Sequence, residues 1–194
     1  MTGQPIELLR RAIDQMSSVI GAAGQDNADR PTPCANWDVR TLAEHVIMDV
    51  EQFTVAAAGE RPDWSRPRPS VEGDWRQAFD AKAPGLLGEW SKVTDFDTPV
   101  TLPIGEVPLS FVVKQQMAEF AVHAWDLARA TGQRPGWDDE VAGTALEWSR
   151  TTLKPEFRGD GKAFGPAWPQ PPGAGPTAAL VAWFGRDPGW SAAA

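Results

Sequence analysis

Ser110-Phe111-Val112-Val113-Lys114-Gln115-Gln116-Met117-Ala118-Glu119-Phe120-Ala121-Val122-His123-Ala124-Trp125-Asp126-Leu127-Ala128-Arg129-Ala130 contains neither glycine nor proline. Val113, Met117, Phe120, Ala124 and Leu127 recur at the three-and-four spacing of one helical face. Gly132 follows where a helix terminus takes a left-handed residue. The stretch therefore predicts the longest helix of the chain, over 110–130, and an all-α core built around it.

Glu119 and His123 are four residues apart, so their side chains stack on one face about one turn apart. That spacing suits chelation of a metal by two side chains. It also fits a partly buried histidine hydrogen-bonded to a carboxylate, and the spacing alone leaves both readings open. The chain has only one other histidine, His45. At ~100° per residue each histidine lies about 60° off the centre of its own apolar stripe, so each can look into a helix–helix seam.

Working outward, Leu9, Ile13, Met16 and Ile20 predict an amphipathic helix over Ile6 to Ile20. Asp38 is placed to cap a second helix from Val39 towards Ala58, with the stripe Val39, Leu42, Val46, Val50 and Phe53 facing the core. A proline-rich irregular connection over 61–73 precedes a third helix, Asp74 to Lys92, disturbed at Pro84. Thr98 to Leu102 and Glu106 to Leu109, joined by Pro103-Ile104-Gly105, suggest a short hairpin before the fourth helix. Asp138 can cap a further helix to about Leu153, and a Gly/Pro-rich stretch from Gly159 to Pro176 leads to a final helix, Thr177 to Phe184. No internal repeat or long linker divides the chain. The expectation is one domain over 1–194, with 155–194 a Gly/Pro-rich C-terminal extension packed on the bundle.

Composition narrows the partners. A hydrophobic content of 42% in 194 residues is enough for a real core. The net charge of −8, with no Lys/Arg block, argues against nucleic acid and anionic membranes as partners. No apolar run reaches the roughly 18 residues of a membrane-spanning helix. The single cysteine, Cys34, rules out an internal disulfide framework, and Met1 to Arg11 is too polar for a signal peptide, so a cytoplasmic location is expected.

Two longer patterns carry a resemblance. The first is Pro33-Cys34-Ala35-Asn36-Trp37-Asp38-Val39-Arg40-Thr41-Leu42-Ala43-Glu44-His45-Val46, and the second runs from Glu119 through His123-Ala124-Trp125-Asp126-Leu127 to Gly132. Together they are similar to the DinB-like metal-binding superfamily. Within it the chain resembles the actinobacterial branch related to the metal-binding domain of mycothiol-dependent maleylpyruvate isomerase, and Gly185-Arg186-Asp187-Pro188-Gly189-Trp190 is similar to that branch's C-terminal signature.

The resemblance implies a four-helix bundle of up-down-down-up connectivity, here with extra C-terminal helices and the hairpin before helix four. It implies a divalent metal held by His45, Glu119 and His123. Two imidazoles and a carboxylate suit zinc, though nickel, iron or manganese would also bind. They leave a coordination position open for a water, a thiolate or a substrate oxygen. The implied activity is that of a thiol-dependent, mycothiol-type transferase or isomerase, acting on an electrophilic substrate with a low-molecular-weight thiol as co-substrate. A non-enzymatic metal-binding, stress-response or sensor protein is the alternative, and homodimer formation through exposed helix faces is left open.

Further residues bear on the site. Asp49, one turn after His45, is a candidate fourth ligand, an acceptor for His45, or a carboxylate paired with arginine or turned to solvent. Asp126 can orient an imidazole or pair with Arg129 or another basic group. Cys34 sits before the second helix, whose dipole would activate it, but without a basic neighbour it reads as packed and inert. Trp37, Trp125, Trp148, Trp183 and Trp190 are read as packing residues, and Arg186 with Asp187 as a mutual pair or an anchor of the C-terminus onto the bundle.

Overall fold

A computed structural model of the chain describes residues 4–159, 164–170 and 172–192. Part of the predicted Gly/Pro-rich stretch (160–163 and 171) and both extreme termini therefore lie outside the described residues. The helices are α1 (Gln4–Ala23), α2 (Val39–Ala57), α3 (Trp75–Asp80), α4 (Ala83–Lys92), α5 (Leu109–Ala130), α6 (Asp139–Thr152) and α7 (Pro176–Trp183). Strands β1 (Pro99–Leu102) and β2 (Gly105–Pro108) pair antiparallel between α4 and α5.

Helix starts follow side-chain chemistry. The Asp38 carboxylate accepts from the Thr41 N–H at 2.8 Å and opens α2, while Asp74 and Asp138 do the same for α3 and α6. The predicted third helix is split, with Ala81 and Lys82 between α3 and α4. Pro84 explains the split: it has no N–H to donate and is tolerated only in the first turn of the new helix. The hairpin turn is tighter than expected, because Leu102 pairs with Gly105 and only Pro103 and Ile104 make the corner. Gly105 can stand there because its φ of 117° is open to glycine. Proline at both outer ends of the ladder, Pro99 opposite Pro108, limits the sheet to this pair.

The helix directions can be read from contacts at the ends. Gln133, just past α5, donates to the Val19 carbonyl near the end of α1, so α1 and α5 run the same way. Ser17 of α1 donates to Asp80 of α3 at 2.6 Å, and the start of α3 lies beside Gly21, which sets α3–α4 against α1. Ala57, Lys92 and Leu109 border one hollow, so α2 and α4 end where α5 begins. The connectivity is up-down-down-up, with α3 and α4 sharing the third position.

The predicted stripes of α2 and α5 are buried, as are Leu9, Met16, Ile20, Phe79, Leu86 and Trp90 on the other helices. α5 is enclosed on nearly every side because α1 and α2 flank it in the bundle while α6 and α7 cover its outer face. Polar residues on α5 therefore need internal partners. Gln116, fully buried, accepts from the Trp90 indole at 2.8 Å.

Candidate metal centre

His45 lies in the second turn of α2, Glu119 at the midpoint of α5 and His123 one turn beyond it. Because the two helices run antiparallel, these levels coincide. One donor atom from each of His45, Glu119 and His123 lies within 4.8 Å of the others, and among the described residues no other His, Cys, Asp or Glu set has this arrangement. The imidazoles meet edge to face with centroids 5.1 Å apart. The three residues predicted as ligands are thus brought to one place, and chemically they could hold a zinc-type ion.

Each histidine is backed by an acid on its own helix. His123 Nδ1 lies 3.1 Å from Asp126 Oδ2, leaving Nε2 beside Glu119 at 3.2 Å. His45 Nε2 lies 3.1 Å from Asp49 Oδ2. Asp49 is not one of the converging donors. Its other oxygen accepts from the Trp64 indole at 3.1 Å, so it is neither arginine-paired nor turned to solvent.

Asp126 is completely buried, and its partner is Arg186, with Nη2 to Oδ2 at 2.9 Å. Of the partners open to Asp126, the structure takes the imidazole of His123 and a basic group other than Arg129, and it corrects the mutual pairing of Arg186 with Asp187. Arg129 instead donates to the Trp190 carbonyl, and Asp187 accepts from the Gly189 N–H at 2.8 Å in its own turn. The anchoring role expected of Arg186 is realised, because its guanidinium ties the chain after α7 to the C-terminal third of α5.

Burial by itself would lower the His123 pKa, but hydrogen bonds to Asp126 and Glu119 dominate and raise it to about 9. Burial would raise Glu119 and Asp126, yet both are held below the usual carboxylate range. For Glu119 the cause is His123 first, then His45 and Arg186; for Asp126 it is Arg186 and His123. His123 thus lies between two carboxylates that favour its protonated form. A metal at Nε2 would have to displace that proton.

Trp37 covers one side, its ring 4.6 Å from His45 and 6.1 Å from His123. It is presented by a turn in which Asn36 takes a left-handed φ of 68°, tolerable for asparagine, and Arg68 lies 5.2 Å over its outer face. Cys34, in the same turn, borders a hollow shared with both histidines. Burial pushes its thiol up to about 11 against a smaller lowering by Arg186, which agrees with a packed, inert cysteine. Trp64, from the proline-rich connection, was not foreseen at the site, and nothing local in sequence links it to Asp49.

Residues 9–128 match the family model described as the mycothiol maleylpyruvate isomerase N-terminal domain. Two uncharacterised proteins of Mycobacterium tuberculosis, one from each of two strains, are 33% identical over 94% of this chain and 97% of their own length. In structure the chain resembles mycothiol-dependent maleylpyruvate isomerase, with TM-score 0.63 and 18% identity. A histidine-to-alanine mutant of that enzyme gives TM-score 0.66 and 16% identity. Both alignments cover 89% of this chain and 77% of the other. At that identity the likeness speaks for the fold. No described helix is long and apolar enough to cross a membrane.

Proposed function

The chain belongs to the mycothiol maleylpyruvate isomerase N-terminal domain family, and from that premise we propose that it is a metal- and thiol-dependent transferase or isomerase whose divalent ion is held by His45, Glu119 and His123. The observation that carries this reading is the convergence of the three donors, from two helices far apart in sequence, within 4.8 Å. The donor set fits zinc, while nickel, iron and manganese remain chemically compatible. When bound, the ion would supply positive charge that lowers the pKa of a low-molecular-weight thiol and favours its reactive, ionised form.

The protein's own groups have separate tasks. Asp126 holds His123 by Nδ1 and so aims Nε2 at the centre, and Arg186 neutralises Asp126 from behind. Asp49, steadied by Trp64, restrains His45. Trp37 shields the imidazoles on one side. Hollows reaching Glu119 and His45 leave room for a thiol and an electrophile, which supports an enzyme over a sensor whose metal site is closed.

The test is elemental analysis of the purified protein, followed by conjugation of mycothiol to a model electrophile, with His123→Ala as control. About one metal per chain and thiol transfer lost in the variant are expected. Stoichiometric metal with no chemistry towards any cellular thiol would favour the non-enzymatic reading.

A further inference from the structure

Three hollows meet at Glu119. One, of about 350 Å³, holds Cys34, Trp37, both histidines and Arg186. A second, of about 270 Å³, holds His45, Asp49, Trp64 and Gln115. The third, of about 190 Å³, is different in kind, with walls built by Phe111, Trp148, Leu153, Phe157, Phe164 and Phe184. α5 and α6 supply one side of this cavity, and the chain after α6 supplies the other.

We infer that this aromatic cavity seats the thiol's reaction partner, and that the partner is an uncharged, ring-sized apolar molecule. The inference of a partner rests on the proposed function; the choice of an uncharged ring rests on the cavity alone.

Charge comes first. Among the described residues lining the cavity there is no Lys, Arg or His, and the one charged group, Glu119, is an acid. A carboxylate entering there would lose its water, gain no cation and face a like charge. Arg186 does not line this cavity, and its charge already faces Asp126, to which it donates through Nε and Nη2, while Nη1 donates to the Phe184 carbonyl. Maleylpyruvate, from which the enzyme of similar fold takes its name, is a dicarboxylate. The cavity next to Glu119 is unsuited to it.

Size and surroundings point the same way. An apolar cavity of about 150 Å³ is enough to hold benzene, so about 190 Å³ takes one ring with small substituents rather than a long chain. Ile104, on the hairpin corner, and Phe157 border the cavity and are 62% and 43% exposed, an unusual pairing of large apolar side chains with solvent. A bound ring would cover both. Glu119 is shared with the other two hollows, so a molecule seated here lies next to the histidines.

The test compares two probes of nearly equal shape by fluorine NMR, neutral 4-fluoroacetophenone and anionic 4-fluorobenzoate, on the zinc-supplemented full chain. The ketone should bind saturably and at least ten-fold more tightly than the benzoate. Thr152→Trp, which fills the cavity from the end of α6, should weaken the ketone at least ten-fold. Ile104→Lys changes an exposed corner without disturbing the core, and should narrow the preference for the ketone several-fold. Equal binding of the two probes, no ketone binding by the folded protein, or no change in preference with Ile104→Lys would each overturn the inference. Metal content is measured on the same samples. Ketone binding without metal would sustain the apolar cavity while removing the ion from the proposed function, and metal without ketone binding would do the reverse.

Discussion

Arg186 closes on Asp126 across sixty residues of chain, with its Nη2 2.9 Å from Oδ2 of a carboxylate that is completely inaccessible to solvent. Through this contact the terminal segment of the chain sets the electrostatics behind His123. A buried ion pair offers little net gain over apolar packing, but losing one partner leaves an uncompensated charge.

Arg186→Ala should therefore destabilise the fold by about 3–5 kcal/mol, measured by urea or thermal unfolding. The double variant Asp126→Asn/Arg186→Met should be less destabilised than Arg186→Ala alone. If the single variant unfolds like the unmodified protein, the pair has no such role.

Asp126→Asn keeps the shape of the acceptor but removes its charge, and should weaken metal binding about 10–100-fold. Glu119→Ala and His123→Ala should lose stoichiometric metal altogether. Because a ligand that binds only the folded state stabilises it, chelation from a protein held at ~100-fold excess of free metal over Kd should cost about 2.7 kcal/mol. Calorimetric titration and melting curves with and without chelator measure both effects.

Gly185 opens the terminal motif with a φ of 83°, and a Cβ there would sit 3.0 Å from the Pro166 carbonyl oxygen. Backbone handedness alone costs an alanine about 1 kcal/mol, and the crowded carbonyl adds to it. Gly185→Ala should lower stability by at least that amount and loosen the Arg186–Asp126 contact. Unchanged unfolding would contradict this.

Asp138 caps α6 and receives two hydrogen bonds from Arg11 of α1. Burial would raise its pKa, but the Arg11 guanidinium and the capped N–H groups hold it lower than usual. A depressed folded-state pKa means the contribution is complete above the unfolded value near 3.9 and disappears as pH falls through the lower folded value. Asp138→Ala should cost about 1 kcal/mol at neutral pH and less once the carboxylate is protonated in both states, when its charge no longer contributes. Denaturant midpoints from pH 7 to 2 would show this convergence.

The helices were legible because their causes are local. Val113, Met117, Phe120, Ala124 and Leu127 predicted the face of α5 that is buried, and Asp38 and Asp138 marked starts they do cap. Pro84 signalled a disturbance, although periodicity could not say that two helices would result. Glu119 and His123 were legible as a pair for the same reason: four residues of helix place side chains on one face whatever the rest of the chain does. His45 was a different matter, joined to them by resemblance rather than by spacing.

What the sequence by itself determined is where helices form, the Asp38 and Asp138 caps and the Glu119–His123 face, since backbone hydrogen bonding and side-chain period act over a few residues. Only the tertiary structure decided that Asp49 would be held by Trp64, that Arg186 would choose Asp126 over its neighbour Asp187, and that aromatic rings from α5, α6 and the terminal segment would enclose a cavity beside Glu119. Those outcomes depend on which surfaces meet when antiparallel helices pack and the chain folds back, and nothing within one turn of helix or one hairpin records them.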